Sequence, residues 1–243
     1  MEARTVFTDE QYANPYPPGI EHNYWHRARN RILLRRLAPV LAPSARILDI
    51  GCGPGIVVDH LRREGLDCAG VDLGTPPPAT AEVAPHLRLG VSAFDLTAPE
   101  RGAISAFLLM DVLEHLPEPA GFLAECRRAF PAAKHVFVTL PARSEIWSSY
   151  DEYYGHYRRY ALEDLPGLVA ETDLRVLRSG YFFHALYAAA RVVSLATKRR
   201  SHVVAAPRLR FAHALLGHVF AAEELLVPAR APGSSLYALL ETP

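Results

Sequence analysis

Two stretches of this 243-residue chain carry residue types that could do chemistry. The first is ILDIGCGPG, Ile47 to Gly55, followed by GVDLG with Asp72. Its glycines, Gly51, Gly53 and Gly55, are spaced GxGxG rather than GxGxxG, so the backbone there must come close to a ligand. Asp49 stands two residues before the first of them. A phosphate would be opposed by that carboxylate, because like charges a few ångströms apart cost kilocalories in a shielded cleft. A cationic ligand reverses the sign. The second stretch is YDEYYGHYRRY, Tyr150 to Tyr160. His156, with Tyr153 and Tyr157 beside it, could orient an acceptor and take its proton. The plain alternative is a solvated basic-aromatic loop with its tyrosines packed beneath. Arg158 and Arg159 are expected to pair with Asp151, Glu152 or Glu163, or to meet an anionic substrate group.

Regular structure must hold both stretches in place. ARILDI reads as a short buried strand, IVVDHLRREG as an amphipathic helix ending at Gly65, and DCAGVDL as a second strand. Strand, glycine turn, helix, strand is the first half of a doubly wound parallel sheet. Asp72 closes the second strand, where such folds place an acid on a ribose diol. The implied ligand is a nucleoside with a positively charged, phosphate-free tail, and S-adenosylmethionine fits. LRLGVSAF, AISAFLLM, KHVFVTLP, DLRVLRSGYFF and SSLYALLE read as five further strands. The YDEYYGHYRRY segment therefore follows strand five, on the carboxyl edge where open α/β folds bind ligands. A helix from residue 28, stopped by Pro43, precedes the first strand. The proline run after Asp72 excludes a helix until past Pro78, and a crossover helix starts near Pro119.

Residues 182–230 interrupt the last two strands with two amphipathic helices. Phe183, Leu186, Tyr187, Ala190 and Val193 are expected on one face of the first, and Phe211, Leu215, Leu216, Val219 and Phe220 on one face of the second. Both faces are expected to be buried as a cap or interface beside the acceptor. Lys198, Arg199 and Arg200 leave peripheral membrane docking as the other reading.

Lysine plus arginine and aspartate plus glutamate each number 26, so no electrostatic footprint for nucleic acid is present. The polar N-terminus lacks the apolar core of a signal peptide. Cys52, Cys68 and Cys126 form no CxxC pair, which points to reduced thiols and a cytoplasmic location. Tyr181 to Thr197 contains His184 and Arg191 and is too polar to span a bilayer. His22 and His26 have helical spacing but no third ligand, so no metal site is expected.

ILDIGCGPG, GVDLG and LLMDVLEHLPEP together resemble the signature of class I S-adenosylmethionine-dependent methyltransferases. NYWHRARNRILL is similar to the N-terminal helix of a bacterial small-molecule subgroup, and SSYDEYYGHYRRYALEDL to its segment after strand five. The resemblance implies one domain over residues 1–243: cap helices in 1–43, a cofactor half in 44–141 and an acceptor half in 142–243. Its fold would be a seven-stranded Rossmann-like α/β sheet, with the last strand antiparallel and a helical insertion before it. By motif, Asp49, Gly51, Gly53 and Gly55 would line the methionine end of the cofactor. Asp72 would hold the ribose, Leu73 the adenine, and Met110 and Asp111 the cofactor's middle. Trp25 and Arg29 would close over it, Arg29 toward its carboxylate. Where many relatives carry an aspartate for the adenine amine, this chain has Ser92 followed by Ala93, with Asp95 close behind. Glu114 and His115 fall on the active-site rim, Glu114 as ligand contact or helix cap. The implied activity is methyl transfer to an O, N or C nucleophile of a small molecule. A cyclase or alkyl transferase using the same sulfonium, and a non-catalytic cofactor-binding subunit, begin from the same motifs. Monomer and homodimer both fit.

Overall fold

The computed structural model describes residues 8–242, and every strand read from the sequence is in it. These are β1 (Arg46–Ile50), β2 (Asp67–Asp72), β3 (Leu87–Leu89), β4 (Ala106–Met110), β5 (His135–Pro141), β6 (Arg175–Phe182) and β7 (Ser235–Glu241). They form one sheet in the order β3-β2-β1-β4-β5-β7-β6. β1 to β5 pair in parallel, and β7 runs antiparallel to both β5 and β6. β3 is shorter than expected. Gly90, at φ +74°, turns the chain, and Ser92 and Asp95 then cap a tight turn reciprocally.

The helices are α1 (Asp9–Ala13), α2 (Tyr24–Leu37), α3 (Ile56–Arg63), α4 (Ala98–Gly102), α5 (Pro119–Ala129), α6 (Ser149–Tyr153), α7 (Leu165–Val169), α8 (His184–Ala196) and α9 (Arg210–Leu226). None of them is long and apolar enough to cross a membrane. α2 starts before the expected residue 28 because the Asn23 side chain caps it, accepting from the Trp25 amide at 2.9 Å. Trp25 and Arg29 thereby share one helix.

Alternation along the strands splits the core between the two sheet faces. Leu48, Phe107 and Val136 pack with Leu123 of α5 and Leu165 and Leu168 of α7. Ile47, Leu108 and Phe137 pack with Ile32 and Leu33 of α2, Val58 and Leu61 of α3, and Ala221 of α9. β4 is buried along its whole length, as a central strand covered on both sides must be.

The insertion departs from expectation in two ways. Phe183 is not on α8: it is the N-cap, at φ +61°, with its ring fully buried against Trp25, Phe182 and Phe220. Nor is the apolar face of α9 covered, and that of α8 is covered only in part: Leu186 packs on the core and the Tyr187 hydroxyl donates to Glu145, while Val193 is exposed. Phe211 is 83% exposed, Leu215 56% and Val219 53%, and of the five apolar α9 residues named above only Phe220 packs into the core. α9 instead meets α2 through Gly217, Ala221 and Glu224. A Cβ on Gly217 would stand 2.9 Å from that of Arg27, so only glycine allows the two helices this approach. Glu224 takes Arg35 and Arg36 in a buried ion pair.

Candidate active site

The glycine turn between β1 and α3 is shaped by left-handed backbone. Gly51 stands at φ +76° and Gly55 at φ +84°, and a Cβ on either would meet Val112 or Leu87 at 2.8 Å. Asp72, at the end of β2, holds the turn from the side. Its carboxylate accepts from the Gly53 amide at 2.8 Å and the Gly74 amide at 2.7 Å. Each oxygen has a second lone pair, so the group can cap the turn and still accept from a ligand hydroxyl. Leu73 beside it is 37% exposed, an apolar shelf next to that carboxylate.

Asp49 is different. It is fully buried at the end of β1, and neither carboxylate oxygen has a hydrogen-bond partner. Burial, with Asp72 and Asp111 nearby, raises its pKa to about 7, against the pull of Arg29. A buried acid without a donor favours any cation that reaches it. Arg29 is nine-tenths buried, lies 4.7 Å over the Trp25 ring and donates to Asp111. Asp111 follows Met110 out of β4 at φ +59°, a conformation uncommon outside glycine. Its amide is fixed to the Thr139 carbonyl of β5 at 3.0 Å. Tyr16 lies over Gly53, its hydroxyl 3.3 Å from where a Cβ would stand, so the segment before α2 covers the turn.

A second cluster adjoins this one after β4 and β5. Asp151 of α6 is fully buried and accepts from the Ser148 amide and hydroxyl, from Arg159 at 2.8 Å and from His156 Nδ1 at 2.9 Å. Burial alone would raise its pKa, but His156 and Arg159 overcome that and hold it at about 2. An ionised Asp151 only accepts, so His156 carries a proton on Nδ1, and Nε2 is the ring nitrogen left for another partner. His115 packs edge-on against His156, ring centres 4.7 Å apart, with its own Nδ1 on the Tyr154 carbonyl at 3.0 Å. Burial, then His156, push the His115 pKa down to about 3, so it is neutral. Glu114 is buried with one oxygen unpartnered, and burial and Asp111 push its pKa well up. One ligand-capable atom from each of Glu114, His115 and His156 lies within 4.8 Å of the others. Among the described residues these three, rather than the pair His22 and His26, are grouped closely enough to hold a cation, and the Nδ1 of each histidine is braced by an acceptor.

A family model described as a methyltransferase domain matches residues 22–179, which include all of this geometry except Tyr16. The chain belongs to the methyltransferase domain family. The ubiquinone biosynthesis O-methyltransferase of Hahella chejuensis is 35% identical over 106 residues, 40% of this chain and 44% of that relative. The chain thus spans less than half the length of that relative. Among solved structures, an S-adenosylmethionine-dependent methyltransferase from Archaeoglobus fulgidus superposes with a TM-score of 0.51 and 16% identity, over 89% of this chain and 94% of the other. The cyclase SpnF does so at 0.56 and 17%, over 100% and 98%. At such identity these two show the fold alone.

As a class I methyltransferase domain, the chain has S-adenosylmethionine for its cofactor, and the unpartnered Asp49 carboxylate at the glycine turn suits that cation. The structure gathers Asp49, Gly51, Gly53, Gly55, Asp72, Leu73, Met110, Asp111, Trp25 and Arg29 around one sheet edge. Arg29, expected toward the cofactor carboxylate, is paired with Asp111, though its buried Nε has no partner. Ser92 and Asp95 satisfy one another: the Ser92 amide donates to Asp95 at 2.9 Å, with Ala93 buried between them. Of the residues singled out in the second stretch, His156 is in the cluster. Tyr153 is turned to Asn14 and stacked on His202, and Tyr157 is 59% exposed. Tyr150 is half-buried, its ring 6.3 Å from that of His156, and burial followed by Tyr16, Asp111, Asp151 and Glu114 raises its pKa. Arg159 makes the expected pair with Asp151, whereas Arg158 donates to the Pro117 carbonyl. Sequence reading missed Tyr16 and Tyr150, and it missed that Asp151 orients His156. The i, i+5 spacing of Asp151 and His156 was the available signal.

Proposed function

We propose that this protein transfers the methyl group of S-adenosylmethionine to a hydroxyl of a small molecule, with His156 as the general base. The observation that carries the reading is the Asp151–His156 pair at the carboxyl edge of β5, which occupies Nδ1 and leaves Nε2 as the nitrogen that would take a proton. The names of the curated relatives support an oxygen acceptor. Residues 44–141 hold the cofactor, residues 142–243 face the acceptor, and residues 8–43 cover the glycine turn. Residues 1–7 lie outside the described structure.

S-adenosylmethionine supplies an electrophilic methyl on a sulfonium. Asp49 and the glycine turn hold its cationic end, and Asp72 accepts from its ribose. His156 Nε2 takes the acceptor's proton as the oxygen–carbon bond forms and the carbon–sulfur pair leaves with sulfur. Asp151 stabilises the imidazolium that results. Most of the acceleration comes from alignment of the reacting atoms, and the base adds about 10²–10⁴-fold for an acceptor protonated at neutral pH. The balanced charge supports a small-molecule acceptor rather than nucleic acid.

Labelled cofactor offered with phenolic, aliphatic-hydroxyl and amine acceptors is the test. S-adenosylhomocysteine and a methyl ether are expected. Methylthioadenosine would instead mean attack on the aminobutyl chain, and cofactor binding without turnover a binding subunit.

A further inference from the structure

We propose that the α8–α9 insertion is a peripheral docking surface for an anionic lipid bilayer. The inference stands apart from the methyl-transfer reading, because it rests on a different part of the molecule.

α9 is apolar on two sides. Its inner side, Gly217 and Ala221, is spent on α2. On the outer side Phe211, Leu215, Val219 and Leu226 follow one another at i, i+4, i+8 and i+15, all exposed, Leu226 to 83%. α8 repeats the pattern: Val192 and Leu195, i and i+3, are 68% and 74% exposed, and only His184 of this helix is buried. Large apolar side chains left in water along each of the two helices mark a contact surface.

Charge selects the partner. From residue 184 to residue 222 the chain has Arg191, Lys198, Arg199, Arg200, Arg208 and Arg210 and not one aspartate or glutamate, in a protein whose charges balance overall. The acids that follow are turned inward. Glu223 accepts from the His184 and Ala185 amides, and Glu224 holds Arg35 and Arg36. Exposed leucine, valine and phenylalanine bordered by cations is the composition of a helix lying in an anionic interface. A second copy of the chain fits poorly. A two-fold contact would set this cationic surface against itself, with no carboxylate to answer it.

The position of the surface gives docking a consequence. The linker between α8 and α9 folds over the segment after β5. The Ser149 amide donates to the Lys198 carbonyl at 2.9 Å, the Tyr154 hydroxyl to the His202 carbonyl at 2.7 Å, and Tyr153 stacks on His202. A bilayer under α8 and α9 would therefore lie beside the rim of the His156 cluster, within reach of an acceptor dissolved in lipid.

Flotation of the full chain with phosphatidylcholine vesicles, with and without phosphatidylglycerol, is the test. Binding to the anionic vesicles alone, reversed by high salt, is expected. Replacing Arg199, Arg208 and Arg210 by serine should weaken it by about fivefold for each cation removed. The variant Leu195→Ser, Phe211→Ser, Leu226→Ser should abolish it while still binding S-adenosylhomocysteine, since none of these side chains supports the core. Flotation indifferent to lipid charge, or none at all, overturns the proposal. So does dimerisation of the unmodified chain that the serine substitutions abolish.

Discussion

Asp49 and Asp151 are both completely buried, yet they are opposites. Asp151, after β5, is surrounded by donors and held ionised with a pKa of about 2. Asp49, before the glycine turn, has no donor on either oxygen and a pKa raised to about 7. The first is a completed polar network that fixes the geometry of others. The second is a carboxyl group left without a hydrogen-bond donor, with only the more distant charge of Arg29 to favour its ionised form. Burial alone therefore says nothing about what a carboxylate is for. Its donors do. Asp72, taken by two backbone amides, stands between them.

The contrast can be broken by substitution. Asp151→Ala should have the largest effect, a loss of about 3–5 kcal/mol, because Arg159 would be left buried and uncompensated. Urea unfolding reads it, and a loss below about 1 kcal/mol would show the network to be ornamental. His156→Ala should leave the fold and cofactor affinity nearly intact and lower kcat by about 10²–10⁴-fold. If the variant loses cofactor binding instead, His156 is structural. Asp72→Ala should weaken S-adenosylhomocysteine binding by about 1–3 kcal/mol, measured by calorimetry, with some loss of stability from the freed Gly53 and Gly74 amides. An unchanged dissociation constant would make Asp72 a turn residue only.

The smallest effect on cofactor affinity is a pH dependence set by Asp49. Its folded pKa is raised, so the folded protein holds that proton more tightly than the unfolded chain. Stability without cofactor should then fall as pH rises from the ordinary carboxylate range through about 7. The cationic cofactor prefers the ionised form, so its affinity should rise about tenfold between pH 6 and pH 8, with proton release. Asp49→Asn should remove both slopes. Slopes that persist in the variant would assign the titration to another group.

Much of the cofactor half was legible because its signals are local. The run ILDI, the turn GCGPG and the acid of GVDLG lie within one strand–helix–strand unit, so their order along the chain already places Asp49 and Asp72 at one sheet edge. The acceptor half was only partly legible. Glu114 and His115 follow β4, His156 follows β5, and the three meet only because those strands are neighbours in the sheet. No spacing rule joins residues some forty positions apart. The insertion was legible only as a pair of apolar faces, because apolar periodicity marks a face without saying what covers it.

The sequence by itself determined the strands, the glycine turn, the cofactor class and the apolar character of α8 and α9, since each follows from residue types at short range. Tertiary structure alone decided which buried acid was satisfied and which was not, because hydrogen-bond partners arrive from other elements. It also decided which side of α9 faces protein. Gly217 and Ala221 are small enough for α2 to approach closely, and the bulkier Phe211, Leu215 and Val219 are left on the side that faces solvent.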